Sequence, residues 1–518
     1  MTGWTEQPVV YEVDTWPWLR DVEILTGDPV TLNNVPAWAW DAVVPEGVDA
    51  VWLMGVWERS PAGLAVVGQN GSLIDAFRAA LPDLRPEDVV GSPYCVRRYV
   101  ADARLGGPEG LAVARDELRR RGARLILDYV PNHVAPDHPW VREHPERFVR
   151  GSGEDRARDP EAWFEIGGEV LAHGRDPYFP PWPDVVQLNA FSTSTREAMA
   201  GTLCEIGDQC DGVRCDMAML MLNDVFARTW GPWAGAVPRE ELWPQVLAAA
   251  RSRHPDLLFI AEAYWDLEWA LQQQGFDHCY DKRLYDRLVH EGAASVRAHL
   301  TADLGYQRRL VRFTENHDEP RAARTLPVGK AQAAAVTIAT LPGATLWHEG
   351  QFEGRRIQLP VFLGRRPIEE VDDAGRKFHR DLVSFVRKQH LRDGVWSLLT
   401  VTGWPDNTTH ENLVAWSWTG EEAGNLVVVN LSGAGAQGRV RLPWPQLVDG
   451  IRRLHDQFGG ALLERDGDEL VDPGLFVDLP PWGFHVLTVE LPSVAELPSV
   501  AELPSAAVEL PSEPALRT

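Results

Sequence analysis

The chain is poor in cysteine. Its 518 residues contain five, Cys95, Cys204, Cys210, Cys215 and Cys279. They form no C-x-x-C pair and no Cys/His zinc spacing, so neither a disulfide scaffold nor a structural zinc site is expected. Odd in number and scattered, they read as free thiols of a reducing compartment. Basic residues are also scarce, 50 Lys and Arg against 75 Asp and Glu, for a formal charge of −25. That balance argues against nucleic acid or an anionic membrane as partner. No apolar run approaches the ~18 residues of a membrane helix. The start, "MTGWTEQPVVYEVD", lacks the basic segment and apolar stretch of a signal peptide, so the cytoplasm is the expected location. A Gly-rich phosphate fingerprint is missing too, which leaves a doubly wound nucleotide-binding sheet unsupported. Nothing in the sequence speaks to oligomeric state.

What the chain does contain is a repeated alternation of short apolar runs and helical segments. "VVYEVDTW" (9–16), "VDAVWLMGV" (48–56), "ARLILDYV" (123–130), "DGVRCDMAM" (211–219), "DLLFIAEAYW" (256–265), "LVRFTEN" (310–316) and "ATLWHEG" (344–350) read as strands. Most lack period-2 alternation, as parallel strands covered on both faces do. Helical spacing runs through 107–122, which stops on Gly, and through 244–255, which stops before Pro. A weaker run, "GFDHCYD" (275–281), supplies the eighth strand. The expected fold class is α/β, a (β/α)8 TIM barrel with its site at the C-terminal strand ends.

Length and composition shifts divide the rest. The barrel is expected over 1–133 and 211–390. Residues 134–210, rich in Pro, Trp, Asp and Gly, are too long for a plain connection and read as an inserted subdomain after strand 3. Residues 391–490 carry β-rich runs between turns and read as a C-terminal antiparallel β-sandwich. In 491–518 the unit ELPSVA, begun at Glu490 and repeated from Glu496 and, as ELPSAA, from Glu502, puts a Pro in every sixth position of the repeat, and the segment is expected to be a disordered tail. The 22 Trp are numerous. Most are expected in the core, and some in a groove that stacks on sugar faces.

Polar residues then cluster at the strand ends. Strand three ends in "DYVPNH" (Asp128, Asn132, His133), strand four in "VRCD" (Arg214, Asp216), strand five in "IAEAYW" (Glu262) and strand seven in "ENHDEP" (Asn316, His317, Asp318). Taken singly, such an Asp caps a helix, an Arg–Asp pair is structural, and a His is scaffold. Taken together, three carboxylates, an Arg and two His converge on one barrel mouth. Two carboxylates flanking a bond divide the work of nucleophile and acid/base, the retaining-glycosidase arrangement with carboxyls ~5 Å apart. Arg214, two residues from Asp216 and so on the same strand face, is expected to keep Asp216 ionised as nucleophile. The apolar and aromatic setting of Glu262 is expected to keep it protonated as acid.

These stretches resemble, in order and spacing, the four conserved regions of the α-amylase superfamily of retaining α-glucan enzymes, over about residues 8–485. "GSPYCVRRY" (91–99) is similar to the family stretch whose Tyr stacks on the sugar at the cleavage point. The resemblance implies Asp216 as nucleophile, Glu262 as general acid/base and Asp318 as transition-state stabiliser. It implies Tyr94, His133, Arg214 and His317 as substrate ligands, Asp128 as support, and Asn132 as structural or calcium-linked. The chain departs from the pattern at Met219 and Leu220, where many members have Lys and His, and at Arg98, where many have Asp. No cofactor is required, and a calcium ion stays open without being expected. The implied function is hydrolysis or transglycosylation of α-linked glucosides. The rivals are a non-catalytic carbohydrate-binding relative, disfavoured because all three carboxylates are present, and a metal-dependent barrel isomerase, disfavoured because the His residues are dispersed.

Overall fold

The computed structural model describes residues 3–389 and 391–492. Eight short strands, all paired in parallel, close a barrel in chain order. They are labelled β1 Val9–Asp14, β2 Ala50–Met54, β3 Arg124–Tyr129, β4 Gly212–Cys215, β5 Leu258–Ala261, β6 His278–Tyr280, β7 Leu310–Arg312 and β8 Ala344–His348. The weak run at 275–281 is β6, which bonds β5 at Ile260 and β7 at Val311 through its own residues His278 and Tyr280. Closure comes from β1, which pairs with both β2 and β8.

Barrel geometry turns sequence alternation into layers. The inward column packs Val10, Trp52, Ile126, Ile260, Tyr280 and Leu346 into one buried cluster. The outward column, with Tyr11, Val51, Leu125, Val213, Phe259 and Cys279, packs into the larger core that also contains helix residues. Two residues further along the inward columns stand Glu12, Asp128, Glu262 and His348, all buried. These four strands thus change from apolar floor to ionisable mouth in a single step of the pleat, so burial and charge meet there. Glycine is required just before β8. Gly343 has φ +108°, and a Cβ there would stand 2.6 Å from the Leu310 carbonyl oxygen.

Two excursions rise over the mouth. One follows β2 and was not foreseen from the sequence. It contains helices Pro61–Val67 and Gly71–Ala80 and a two-stranded sheet of Trp57–Arg59 with Val96–Ala101. The other follows β3. In it Trp182–Gln187 lies between His133–Val134 and Glu169–Gly174, and Trp163–Ile166 completes a four-stranded sheet. The expected insertion at 134–210 therefore has two parts, because its last stretch, helix Thr193–Gln209, packs against helix Leu242–Arg253 and leads into β4 as a barrel helix. Ser192 starts that helix by accepting from the Thr195 amide.

Beyond the barrel, a six-stranded antiparallel sheet and a three-stranded one enclose a core of their own, including Leu413, Leu426, Val440, Trp444, Leu475 and Leu487. Residues 493–518 of the expected repeat tail lie outside the described residues. No helix among the described residues is long and apolar enough to cross a membrane. All five cysteines are free.

Candidate active site

Arg214 is the hub of the mouth. It is 1 % exposed, and its strand register sets it beside Asp128 of β3 and Ile260 of β5. Its Nη1 donates to Asp216 Oδ1 at 2.7 Å, and its Nη2 lies 2.9 Å from Glu262 Oε2. Asp128 Oδ1 is 3.7 Å from Nη1. The guanidinium also lies 5.1 Å from the ring of Trp52, 5.5 Å from Tyr94 and 5.6 Å from Tyr280. A planar cation with fixed donors suits such shared duty, which a lysine ammonium would not match.

The carboxylates feel opposing forces. Burial raises the Glu262 pKa to about 7, with Arg214 opposing and the charges of Asp216 and Asp318 adding to the rise. Burial likewise raises Asp216, against the lowering influence of Arg214. One guanidinium serves three buried carboxylates, so it only partly offsets their desolvation. Asp128 is pushed up to about 6 by burial, and its Oδ2 accepts from Trp52 Nε1 at 3.1 Å and the Gly55 amide at 3.3 Å. The turn after Asp216 completes the grip on Glu262. Met217 has φ +38°, an uncommon value for a side-chain-bearing residue, and its N–H donates to Glu262 Oε2 at 2.5 Å. The Tyr264 hydroxyl donates to the other oxygen, Oε1, at 2.7 Å.

A second chain of contacts runs through His317. Its Nδ1 lies 2.5 Å from Glu12 Oε1, and its Nε2 lies 3.0 Å from Asp318 Oδ2 and 2.6 Å from the Tyr94 hydroxyl. Burial lowers the His317 pKa, but the two flanking carboxylates outweigh it and the ring is held charged well above its usual range. For Asp318, depth in the mouth opposes ionisation, while His317 draws the carboxyl below its ordinary value. The turn itself is braced by Asn316, whose Oδ1 accepts from the amides of Asp318 and Glu319, both at 2.9 Å. Arg321 closes it from behind, donating to Glu315 Oε1 at 2.7 Å and to the Glu349 carbonyl at 2.8 Å.

Asp128, Arg214, Asp216, Glu262, His317, Asp318 and Tyr94 are therefore one constellation, as the strand ends suggested. His133 and Asn132 follow at the start of the inserted sheet, with the His133 ring bonded to the Tyr94 backbone. His133 joins the inserted sheet, meets Trp182 edge-on at 5.3 Å and is kept neutral by burial, which lowers its pKa to about 4. Asn132 braces that sheet, since its side-chain and backbone oxygens both accept from Gln187 Nε2 at 2.9 Å. With its oxygen so engaged, and with apolar Met219 and Leu220 after the strand that carries Asp216, the residues present offer poor ligands to a calcium ion. Arg98 pairs with Glu58 at 2.5 Å near the surface. Among the described residues, Glu12, Asp14 and His348 bring three donor atoms within 4.8 Å of one another. A metal is a poor match there as well: burial and Arg321 lower the His348 pKa, but Asp14, 3.3 Å from Nε2, and Glu12 outweigh them and raise it to about 9, so the ring is held as a cation.

Sequence reasoning missed Glu12. It is fully buried, 305 residues from His317, and its Oε2 has no hydrogen-bond partner among the described residues. The signal was present in "YEVD", where Glu12 and Asp14 share the inward face of β1, the same apolar-to-charged step that marked the other strands. Replacing it tests the pairing directly. In Glu12→Gln the His317 ring should titrate at least about one pH unit lower, since the variant removes a contacting anion. Nitrogen-15 NMR of the histidine rings measures this, and an unmoved ring would refute the pairing.

No family model matches the chain. A curated relative, alpha-amylase MalA of Haloarcula japonica, is 24% identical over 481 residues, covering 91% of this chain and 61% of the relative. The α-1,4-glucan:maltose-1-phosphate maltosyltransferase of Burkholderia pseudomallei is 25% identical over 225 residues, 41% of this chain and 16% of that enzyme. The chain thus spans about three fifths or less of the length of these relatives. Among solved structures, the noncanonic maltogenic alpha-amylase AmyB of Thermotoga neapolitana shares the fold with a TM-score of 0.63 and 19% identity, covering 94% of this chain and 99% of that one. The chain is thus similar in sequence to a curated alpha-amylase along most of its own length, and it shares the barrel fold of a solved one.

Proposed function

We propose that this chain is a retaining glycosidase or transglycosylase acting on α-linked glucosides, maltooligosaccharides or related α-glucans, by double displacement. One observation carries the reading: a single buried guanidinium binds Asp216 and Glu262 at 2.7 and 2.9 Å, tying two carboxylates of unlike surroundings to one point. That is compatible with the short carboxylate separation of a retaining site, ~5 Å. Glu262, raised by burial, protonates the leaving oxygen as Asp216 attacks the anomeric carbon. The resulting glycosyl-enzyme is released when Glu262 takes a proton from water or from a sugar hydroxyl. Asp318 and His317 hold the sugar hydroxyls and favour the oxocarbenium-like transition state, with Tyr94 stacked on the ring. His133 and Arg214 complete the set of substrate ligands, the His133 ring held by the Tyr94 backbone. This chemistry needs no cofactor. The free cysteines suit the cytoplasm, and the acidic surface suits neither nucleic acid nor membrane.

The test is product analysis. The protein is incubated with maltose, trehalose, sucrose, maltooligosaccharides and starch, and the products are resolved by chromatography. Free glucose or short maltooligosaccharides alone are expected of a hydrolase, and lengthened or rearranged sugars of a transferase. No turnover of any α-glucoside would overturn the reading.

A further inference from the structure

Residues 358–366, in the segment after β8, form a strap across the barrel mouth. At one end Gln358 Nε2 donates to the Asp318 carbonyl at 2.7 Å. At the other, the Gly364 amide donates to the Asp88 carbonyl at 2.7 Å, and Arg365 grips the Asp88 carboxylate with two bonds of 2.7 Å. Between these ends the Val90 amide donates to the Phe362 carbonyl at 2.9 Å. The strap thus ties the turn that carries Asp318 to the excursion after β2.

Its aliphatic side chains fill the space beneath it. Leu359 and Leu363 are buried with Val67, Phe77 and Leu81 of the excursion, and Val361 packs on the inward cluster of the barrel that holds Val10, Trp52 and Met54. Arg59 of the excursion donates to the Val361 carbonyl at 3.4 Å. Between the strap and the ends of β1 and β2, beside Asp14, Met54 and Arg59, the space left holds no more than about one water molecule.

Where the strap lies decides what it closes. In a ring of eight strands in chain order β1 stands opposite β5, so the strap faces Glu262 across the mouth. Glu262 protonates the leaving oxygen, which puts the departing part of the substrate on the β5 side. A 4-linked glucose ring carries C1 and C4 at opposite ends. With C1 turned to Asp216 and Glu262, C4 points to the wall that the strap fills. A further sugar on O4 would have to take the place of Leu359 and Val361.

We propose that the strap closes the donor side of the site to a single sugar, so that the enzyme removes one glucosyl unit at a time from a non-reducing end. The inference rests on the glycosidase/transglycosylase reading above. In the first step the bond from C1 of the terminal unit to the bridging oxygen breaks, and a bond from C1 to Asp216 forms. The bridging oxygen takes the Glu262 proton, and the rest of the chain leaves with a new non-reducing end. Internal links are out of reach, because each would bring another unit on O4.

The experiment compares α-glucosyl fluoride with α-maltosyl fluoride as donors and reads fluoride release. The leaving group is the same, and the donors differ by one sugar on O4. The kcat/KM of the parent should favour the glucosyl donor by at least about tenfold, since a unit without room is rejected no less strongly than a surplus methylene. With Leu359→Ala and Val361→Ala together in one chain, which opens the wall, that preference should drop by more than about threefold. Should the pair not fold, Val361→Ala alone, at a half-buried residue, is read by the same limit. The preference is a ratio within one preparation, so incomplete folding leaves it unchanged. A parent preference under about tenfold, or a drop in the variant of about threefold or less, overturns the inference alone. A parent that releases fluoride from neither donor overturns the glycoside reading and the inference with it.

Discussion

Glu262→Gln should lower turnover of unactivated α-glucosides by about 10²–10⁴-fold, the usual worth of a positioned general acid/base. The substitution is gentle on structure. A glutamine oxygen still accepts the Met217 amide, and its NH₂ group donates to the Tyr264 hydroxyl that now donates to Oε1. What it lacks is the proton. With α-glucosyl fluoride, whose leaving group needs no protonation, the first step should return, and glycosyl-enzyme should accumulate because its release still needs a base. Mass spectrometry reads that adduct on the intact chain. Asp216→Asn should lose at least about 10⁴-fold and recover with neither donor, since no nucleophile remains to form the ester. The pH profile separates the roles further. Burial holds the Glu262 pKa at about 7, so kcat/KM of the parent should fall as pH rises past that value and the acid form is lost. With the fluoride donor, Glu262→Gln should show no such alkaline limb in its first step. An adduct on Asp216→Asn, or full activity in Glu262→Gln, would sink the assignment.

Arg214→Met should cost the fold about 3–5 kcal/mol near pH 8, the penalty for stranding buried charges by removing their partner. The cause is the shared duty of one guanidinium, 2.7 Å from Asp216, 2.9 Å from Glu262 and 3.7 Å from Asp128. The pH dependence has a definite sign. Glu262 has a folded pKa of about 7, above the ordinary 4.5 of a glutamate. Between those values the folded chain holds a proton that the unfolded chain has released, so stability falls as pH rises through this window. Asp128, raised to about 6, behaves in the same way. Without Arg214 the folded pKa values rise further, so the deficit of the variant should be small at pH 5 and widen by pH 8. Urea unfolding at the two pH values measures it. A loss equal at both would show that missing packing around the Trp52, Tyr94 and Tyr280 rings, rather than missing charge, was responsible.

The barrel was legible because parallel strands leave a strong local mark. Runs such as "RLILDY" are largely apolar on both faces, and several stop at an ionisable residue where the chain emerges from the core. β6 was the faintest for a physical reason. Only three residues, His278–Tyr280, are in the strand, and one is a buried His whose pKa burial lowers to about 4. The excursion after β2 went unread because its helices are short and its paired strands, Trp57–Arg59 and Val96–Ala101, meet with register shifts that break any simple alternation. His133 shows the converse limit. Its motif sits at the end of β3, and two residues of β-pairing with Trp182–Gln187 draw it into the inserted sheet, a pairing that no local pattern announced.

By itself, then, the sequence determined which residue types reach the mouth: the period-2 pleat sets Asp128, Arg214, Asp216 and Glu262 on inward columns, and the local pattern of apolar run followed by charge marks them. Only the tertiary structure decided who meets whom. That Glu12 clamps His317 from 305 residues away, that one arginine divides itself among three carboxylates, and that Tyr264 caps the free oxygen of Glu262 all depend on barrel closure and on left-handed turns at Met217 and Trp265. Such partnerships are set by strand stagger and backbone direction, which hydrophobic periodicity does not encode.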